Sequence, residues 1–117
     1  MTVQVGQCGN QVGSSFWQTV NKEHGLHTDG TFLGDTEAQR ERINVFYTEG
    51  SSHRYVARAV LVDLEPGPVE RLSSGLLGGM FRPDNLVYST SGAGNNWARG
   101  HYTEGGEMIE RVTDVIR

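Results

Sequence analysis

The apolar positions of the chain fall into short strand-like runs separated by helix-like stretches. Three of these runs, at residues 3–5, 57–64 and 85–88, have the character of β-strands. The middle run is apolar over most of its length, which is typical of a central strand buried on both faces. Strands that alternate with helices predict an α/β fold with a parallel sheet and flanking helices.

Apolar residues at helical spacing predict the flanking helices. Such a pattern follows the first run and places Phe16 and Trp17 at core spacing; its members are Val12, Phe16, Trp17 and Val20. A short helix is expected over residues 69–73, and a final helix is expected from Trp97 onward, capped by Asn95 or Asn96. Its apolar face is predicted to consist of Met108, Ile109, Val112, Val115 and Ile116. Residues 25–50 predict a long surface excursion with one short strand at 42–47.

The turn between the first strand and the first helix has the layout of a phosphate site. Residues 6–11 read Gly-Gln-Cys-Gly-Asn-Gln. Glycines let the backbone approach a ligand closely, and the free N–H groups and dipole of a first helical turn favour an anion. The spacing of Gly6, Gly9 and Gly13 fits neither the dinucleotide motif nor the P-loop, so an ordinary tight turn is an equal alternative.

Two further loops follow predicted strands and are expected to meet the first one. Loops at the carboxyl ends of parallel strands lie on one side of the sheet, so the three should converge on one ligand. Asp63 and Glu65 share a face if their strand continues, and paired carboxylates there suggest Mg²⁺ bound through oxygen ligands and water. The alternative is two solvent-facing acids. Residues 91–96 repeat the glycine-then-helix arrangement, for which helix capping is the alternative.

Composition narrows the function classes. A net charge of -4 with scattered arginines argues against a nucleic-acid partner, and no apolar segment is long enough to cross a membrane. The single cysteine, Cys8, cannot form an internal disulfide, which favours a reducing, cytosolic compartment. We interpret Cys8 as a small residue beside a ligand, because no histidine lies near it in sequence. The four histidines lack metal spacing, and Trp97 is expected to pack, with a position covering a ligand as the alternative.

Three motifs in order, at residues 6–11, 62–67 and 91–98, resemble the N-terminal part of a tubulin. Residues 41–45, 81–85 and 100–105 are similar to the β type within that family. The resemblance spans essentially the whole chain, so residues 1–117 would be the N-terminal portion of a GTP-binding domain. It implies the first part of a Rossmann-like parallel sheet, three strands with flanking helices, in an incomplete domain with no second one. Four residues depart from the usual β pattern and imply a divergent isotype, namely Thr2, Lys22, Ala57 and Pro68.

The resemblance implies roles for particular residues. It places GTP and Mg²⁺ in the site, with Glu65 near the metal and Asp63 contributing through water. GTP would be contacted by Gln7, Cys8, Gln11, Ala93, Gly94 and Asn95. The last three of these would form the loop that senses the γ-phosphate. No catalytic residue is expected in this chain, because the resemblance implies that the next subunit's α-tubulin supplies the acidic residue for hydrolysis.

The resemblance also implies partners. These are α-tubulin in a heterodimer, the microtubule lattice and microtubule-associated proteins, in the cytoplasmic cytoskeleton, with residues 25–55 facing the lumen and lateral neighbours. The phosphate-cradling Gly-Gly-Gly-Thr-Gly-Ser-Gly loop of the family does not occur here, so we expect these residues alone to bind GTP weakly or not at all and not to hydrolyse it. The alternatives are a truncated, non-polymerising tubulin paralogue and a small nucleotide-dependent α/β enzyme.

Overall fold

The computed structural model describes residues 1–117 and contains five strands. The strands are β1 (Thr2–Val5), β2 (Tyr47–Glu49), β3 (Tyr55–Ala57), β4 (Ala59–Asp63) and β5 (Leu86–Tyr88). A parallel three-stranded sheet has the strand order β1-β4-β5, and a separate antiparallel hairpin pairs β2 with β3. The α-helices are α1 (Gly6–Glu23), α2 (Glu37–Glu41), α3 (Pro66–Ser74) and α4 (Glu104–Ile116). The predicted α/β fold with a parallel sheet is therefore confirmed.

The central strand β4 builds a core on both faces of the sheet, as its apolar run predicts. Because side chains alternate along a strand, Ala59 and Leu61 join the larger core beneath α1 and α3, while Val60 and Val62 face α4. Helices thus cover both faces, which is the usual environment of a parallel sheet. This arrangement leaves the carboxyl end of β4 between the two helical layers.

Two strand predictions have the wrong bounds. The run at 57–64 is divided at Arg58, whose N–H donates to the Phe46 carbonyl at 2.8 Å, and β4 ends at Asp63. The strand expected at 42–47 is a 3-10 turn at Ile43–Val45, and strand pairing begins only at Tyr47, opposite Ala57. The Val45 N–H donates to the Arg42 carbonyl and the Phe46 N–H to the Ile43 carbonyl, so Ile43 is buried without a strand partner.

The buried face of α1 is partly polar, unlike its predicted apolar face. Trp17 and Val20 are buried as expected, but Val12 is 64% exposed and Phe16 is 37% exposed. Their places are taken by other buried residues, Asn10, Gly13 and Asn21. A glycine suits position 13, because a β-carbon there would lie 2.1 Å from the Gln4 side-chain Cδ and the Gln4 side chain would have to move. The inner face of α1 therefore carries amides and a glycine rather than a continuous apolar stripe.

The remaining helices begin at defined residues. The helix predicted over 69–73 is α3, which begins earlier, at Pro66, where a proline suits the first turn. A helical stretch begins at Trp97, as predicted, and Asn96 rather than Asn95 caps it: Asn96 Oδ1 accepts from the Ala98 N–H at 3.0 Å. It continues through a π-helical turn, Arg99–Thr103, into α4.

Two predictions for this last helix are wrong. Trp97 does not pack in the core, because it is 71% exposed and stacks on His101 with the ring centroids 4.8 Å apart. Of the predicted apolar face, Ile109 and Ile116 are also exposed, whereas Met108 is buried against β4 and β5 and Val112 and Val115 pack beside it, as predicted.

A buried hydrogen-bond chain joins α1 to the hairpin. The Tyr47 hydroxyl donates to Asn21 Oδ1, and Asn21 Nδ2 donates to the Met80 sulfur at 2.8 Å. Tyr47 is 2% exposed, and burial raises the pKa of its hydroxyl above the ordinary value of about 10. The folded protein therefore favours the neutral phenol.

We expect this burial to produce a loss of stability at alkaline pH. A raised folded-state pKa means that the stabilisation is fully present below about pH 10 and is lost as the pH rises further. Tyr47→Phe should lower the free energy of unfolding by about 1–2 kcal/mol at pH 7 and should lose less stability above pH 10 than the parent chain. Urea unfolding at several pH values measures both effects. Tyr102→Phe, at a tyrosine that is 70% exposed, is the control, and an unchanged alkaline profile in Tyr47→Phe would contradict the assignment.

Candidate functional site

A cavity of about 520 Å³ lies at the carboxyl ends of β1 and β4. The start of α1 forms one side, the residues after β4 form the floor, and the π-helical turn with α4 forms the opposite wall. The apolar part of the wall consists of Met108, Ile109 and Val112. The cavity therefore occupies the position at which open parallel sheets bind their ligands.

The three loops that were expected to converge do line this one cavity. Gln7 contributes from the first loop, Asp63 and Glu65 from the second, and Ala93 and Asn95 from the third. The second and third loops are also joined directly, because the Gly92 N–H donates to the Leu64 carbonyl at 3.0 Å. The structure thus brings together residues that are far apart in sequence.

Three of the predicted site residues do not line the cavity. Cys8 is exposed on α1, and Gln11 lines a separate cavity of about 250 Å³ between α1 and α3, together with Ser14 and Arg71. Gly94 lies between the lining residues of the third loop, and a β-carbon on it would lie 3.2 Å from Arg99 Nη1. Because α1 turns by about 100° per residue, neighbours such as Gln7 and Cys8 face different directions.

The two acids lie at the cavity, but in a different arrangement from the predicted one. The strand does not continue through Glu65, because Asp63 Oδ1 accepts from the Glu65 N–H at 3.0 Å and turns the chain toward α3. Asp63 Oδ2 is buried without a hydrogen-bond partner in the protein. No group of three or more His, Cys, Asp or Glu side chains is placed to hold a metal. Asp63 Oδ2 and the Glu65 carboxylate could serve a cation that takes its other ligands elsewhere.

A polar network stabilises the loop after β5. Ser91 Oγ donates to Glu104 Oε2 at 2.6 Å, and Arg99 lies 3.6 Å from the other Glu104 oxygen. Gly92 has a positive φ of 59°, and a β-carbon on it would lie 3.3 Å from Glu65 Oε1. A glycine therefore suits this close approach between the second and third loops.

The sequence did not reveal the helical wall of the cavity. Gly100 and Gly105 line it together with the apolar side chains of α4, which the periodicity assigns to an ordinary core face. The five-residue spacing of the two glycines is the sequence signal that could have indicated this wall. A β-carbon on Gly105 would lie 1.9 Å from the Gly100 carbonyl oxygen. Only a glycine permits this π-turn contact without a shift of the backbone.

A carboxyl group with a strongly lowered pKa lies outside the cavity, in the excursion that follows α1. Hydrogen bonds from the Thr31 hydroxyl and backbone N–H, with a smaller effect of His27, lower the pKa of Asp29 to about 2. The Thr31 N–H lies 2.9 Å from Asp29 Oδ1. This acid therefore closes its own loop and is not part of the cavity.

Comparison with known proteins identifies the family. The model of the Tubulin/FtsZ family, GTPase domain, matches residues 1–117, the whole chain. The chain belongs to this family. Within it, the chain is 60% identical over 115 residues to the tubulin beta-1 chain of Colletotrichum graminicola. It is 58% identical over 115 residues to the tubulin beta-3 chain of Echinococcus multilocularis.

The alignments with these tubulin relatives cover nearly all of this chain but only part of each relative. Each alignment includes 98% of this chain but only 26% of the relative, so the chain spans about a quarter of the length of either one. The resemblance to β-tubulins is confirmed, and the parallel sheet with its flanking helices corresponds to part of the family's GTPase domain. None of the helices is long and apolar enough to cross a membrane.

Proposed function

We propose that the chain forms part of the GTP site of a β-tubulin-type subunit. The observation that carries this proposal is the convergence of the three family motifs on one cavity at the carboxyl ends of β1 and β4. Membership of the family's GTPase domain supports a guanine nucleotide as the ligand. The first helical turn of α1, whose N–H groups lie beside the cavity, would face the phosphates.

The predicted contacts divide into two groups by position. Gln7, Ala93 and Asn95 line the cavity and would contact the nucleotide there, with Gly94 shaping the third loop around the terminal phosphate. Cys8 and Gln11 lie outside the cavity on α1 and would contact the parts of the nucleotide that project beyond it. A GTP molecule lying across the start of α1 would reach both groups.

The acid pair fits a role in holding Mg²⁺. Mg²⁺ usually binds through one or two carboxylates, with water and substrate phosphates completing its ligands. Glu65 and Asp63 both line the cavity, and Asp63 Oδ2 has no partner in the protein. Bound Mg²⁺ would neutralise charge on the phosphate oxygens, and Asp63 would act through water.

The wider function follows the relatives. We propose pairing with α-tubulin, incorporation into microtubules, contact with microtubule-associated proteins and residence in the cytoplasmic cytoskeleton. The α subunit of the next dimer would supply the acid for hydrolysis, so no side chain of this chain is assigned a catalytic role. GTP binding by these residues alone should be weak, because the chain contains no Gly-Gly-Gly-Thr-Gly-Ser-Gly loop.

NMR titration of the chain with millimolar GTP and Mg²⁺ tests the site, since this method detects weak binding. We expect backbone shifts at Gln7, Glu65 and Asn95, and none at Leu76, which is 83% exposed and does not line the cavity. Glu65→Gln should remove most of the effect of Mg²⁺ on the titration, because the carboxylate charge is lost. Glu110→Gln, at an exposed acid of α4 outside the cavity, is the matched control and should behave as the parent chain.

Two outcomes would count against the proposal. The absence of shifts at the three loops would contradict a nucleotide site in this chain, and equal Mg²⁺ responses in Glu65→Gln and the parent chain would remove the metal assignment. Co-sedimentation with α-tubulin under assembly conditions tests the polymer function separately. Nucleotide shifts without co-sedimentation would favour the non-polymerising paralogue.

A further inference from the structure

One buried side chain connects two sides of the cavity. Asn10 is 0% exposed and lies one turn into α1. Its Nδ2 donates to the Gly6 carbonyl at 2.8 Å and to the Val62 carbonyl at 3.2 Å. Gly6 and Val62 both line the cavity, Gly6 at the start of α1 and Val62 near the end of β4. A single amide thus spans the elements that carry the first and second loops.

These contacts determine where the two loops lie relative to each other. The β1–β4 pairing brings Val5 opposite Val62, so Asn10 adds a side-chain bond at the last residue pair of the parallel ladder. Beyond this point β1 has become α1, and β4 ends one residue later at Asp63. The ladder therefore ends at the cavity, and Asn10 is the side chain that continues the connection there.

We propose that Asn10 is a positioning residue for the nucleotide cavity. Its amide holds the start of α1 against the end of β4, which fixes the distance from Gln7 to the acid-bearing loop. This inference rests on the proposed function for its effect on GTP affinity, while the effect on the loops themselves can be measured without nucleotide. A positioned site loses affinity when its supporting hydrogen bonds are removed, even though every contact residue is still present.

The chain contains a matched control on the same helix. Asn21 is also buried in α1 and also makes two side-chain hydrogen bonds, to Tyr47 and Met80, but it lies near the other end of the helix. Asn10→Ala and Asn21→Ala each remove a buried amide with its hydrogen bonds. Only the first substitution should affect the cavity.

Hydrogen exchange of the unliganded chain tests the positioning role. In Asn10→Ala we expect the amides of Glu65 and Gly92 to exchange about ten-fold faster, because the Glu65 N–H donates to the Asp63 carboxylate at the end of β4 and the Gly92 N–H donates to the Leu64 carbonyl just after it. Asn21→Ala should leave these two amides unchanged and accelerate exchange near Tyr47 instead. Asn10→Leu, which keeps the branched shape but has no donor, should reproduce Asn10→Ala and thereby exclude an empty space as the cause.

The GTP titration then distinguishes the positioning role of Asn10 from the proposed nucleotide binding of the cavity. Asn10→Ala should weaken GTP binding about ten-fold while Asn21→Ala leaves it unchanged. Unchanged exchange at Glu65 and Gly92 in Asn10→Ala, or equal acceleration in Asn21→Ala, would overturn the positioning role. Faster exchange in Asn10→Ala together with a parent chain that shows no GTP shifts would retain the role of Asn10 in the loops and reject the nucleotide function.

Discussion

Trp17→Ala is expected to lower the free energy of unfolding by about 3–5 kcal/mol, the usual cost of truncating a buried large aromatic side chain. Trp17 is 1% exposed and lies in the larger core, beneath α1. Its ring makes edge contacts with Tyr47 and Phe81, at centroid distances of 5.3 Å and 6.4 Å. The substitution therefore leaves a space between α1, the β2–β3 hairpin and the turn that precedes β5. Urea unfolding followed by circular dichroism measures the loss.

The second tryptophan provides the control. Trp97 is 71% exposed, so Trp97→Ala should change the free energy of unfolding by no more than about 0.5 kcal/mol. Each variant leaves one tryptophan, and the fluorescence of Trp17 alone should shift to longer wavelength on unfolding while that of Trp97 alone should change little. Similar losses of stability in the two variants would contradict the burial of Trp17.

Gly30→Ala is expected to destabilise the chain by about 2–5 kcal/mol, through a strained backbone angle and a steric overlap. Gly30 has a φ of +89°, and a β-carbon on it would lie 2.4 Å from the Tyr55 carbonyl oxygen. The Gly30 carbonyl also accepts from the Tyr55 N–H at 2.8 Å, so this contact holds the excursion against β3. Thermal unfolding of the variant should show a clear decrease in Tm.

Gly79→Ala is the matched control for this substitution. Gly79 has no heavy atom within 4 Å of the position of an added β-carbon, and its φ is not positive. Alanine there should be neutral or should raise stability by up to about 1 kcal/mol, because it restricts the unfolded chain. If both glycine variants unfold at the same temperature, the contact between Gly30 and Tyr55 does not stabilise the fold.

The sheet was predictable because its signals are local. The continuous apolar run around Leu61 indicates a strand buried on both faces, and the alternation of strands and helices indicates parallel pairing. The convergence of the loops then follows from topology alone. These features require only the chain order and the period of the side chains.

Other features depend on contacts that periodicity does not encode. The residues around Ile43 have strand-like composition but form a 3-10 turn. The Arg58 side chain donates to the Asn44 carbonyl of this turn, a contact that the local sequence does not indicate. Gln11 lies one turn beyond Gln7 on α1 and lines a different cavity, which α1 shares with α3. The family motifs name the site residues, but only the packing of the helices shows which of them line the cavity and which lie outside it.

The π-helical turn changes the angular position of the side chains that follow it in the last helix. The Glu104 N–H donates to the Arg99 carbonyl, five residues earlier, so this turn contains one residue more than a regular turn. One extra residue changes the phase of everything that follows by about 100°. The helix is continuous, but its first segment begins after the cavity loop at Trp97 and its second segment packs Met108 on the sheet. The faces of these two segments are therefore rotated relative to each other. The cavity loop can thus satisfy its own geometry while the sheet determines which side chains α4 buries.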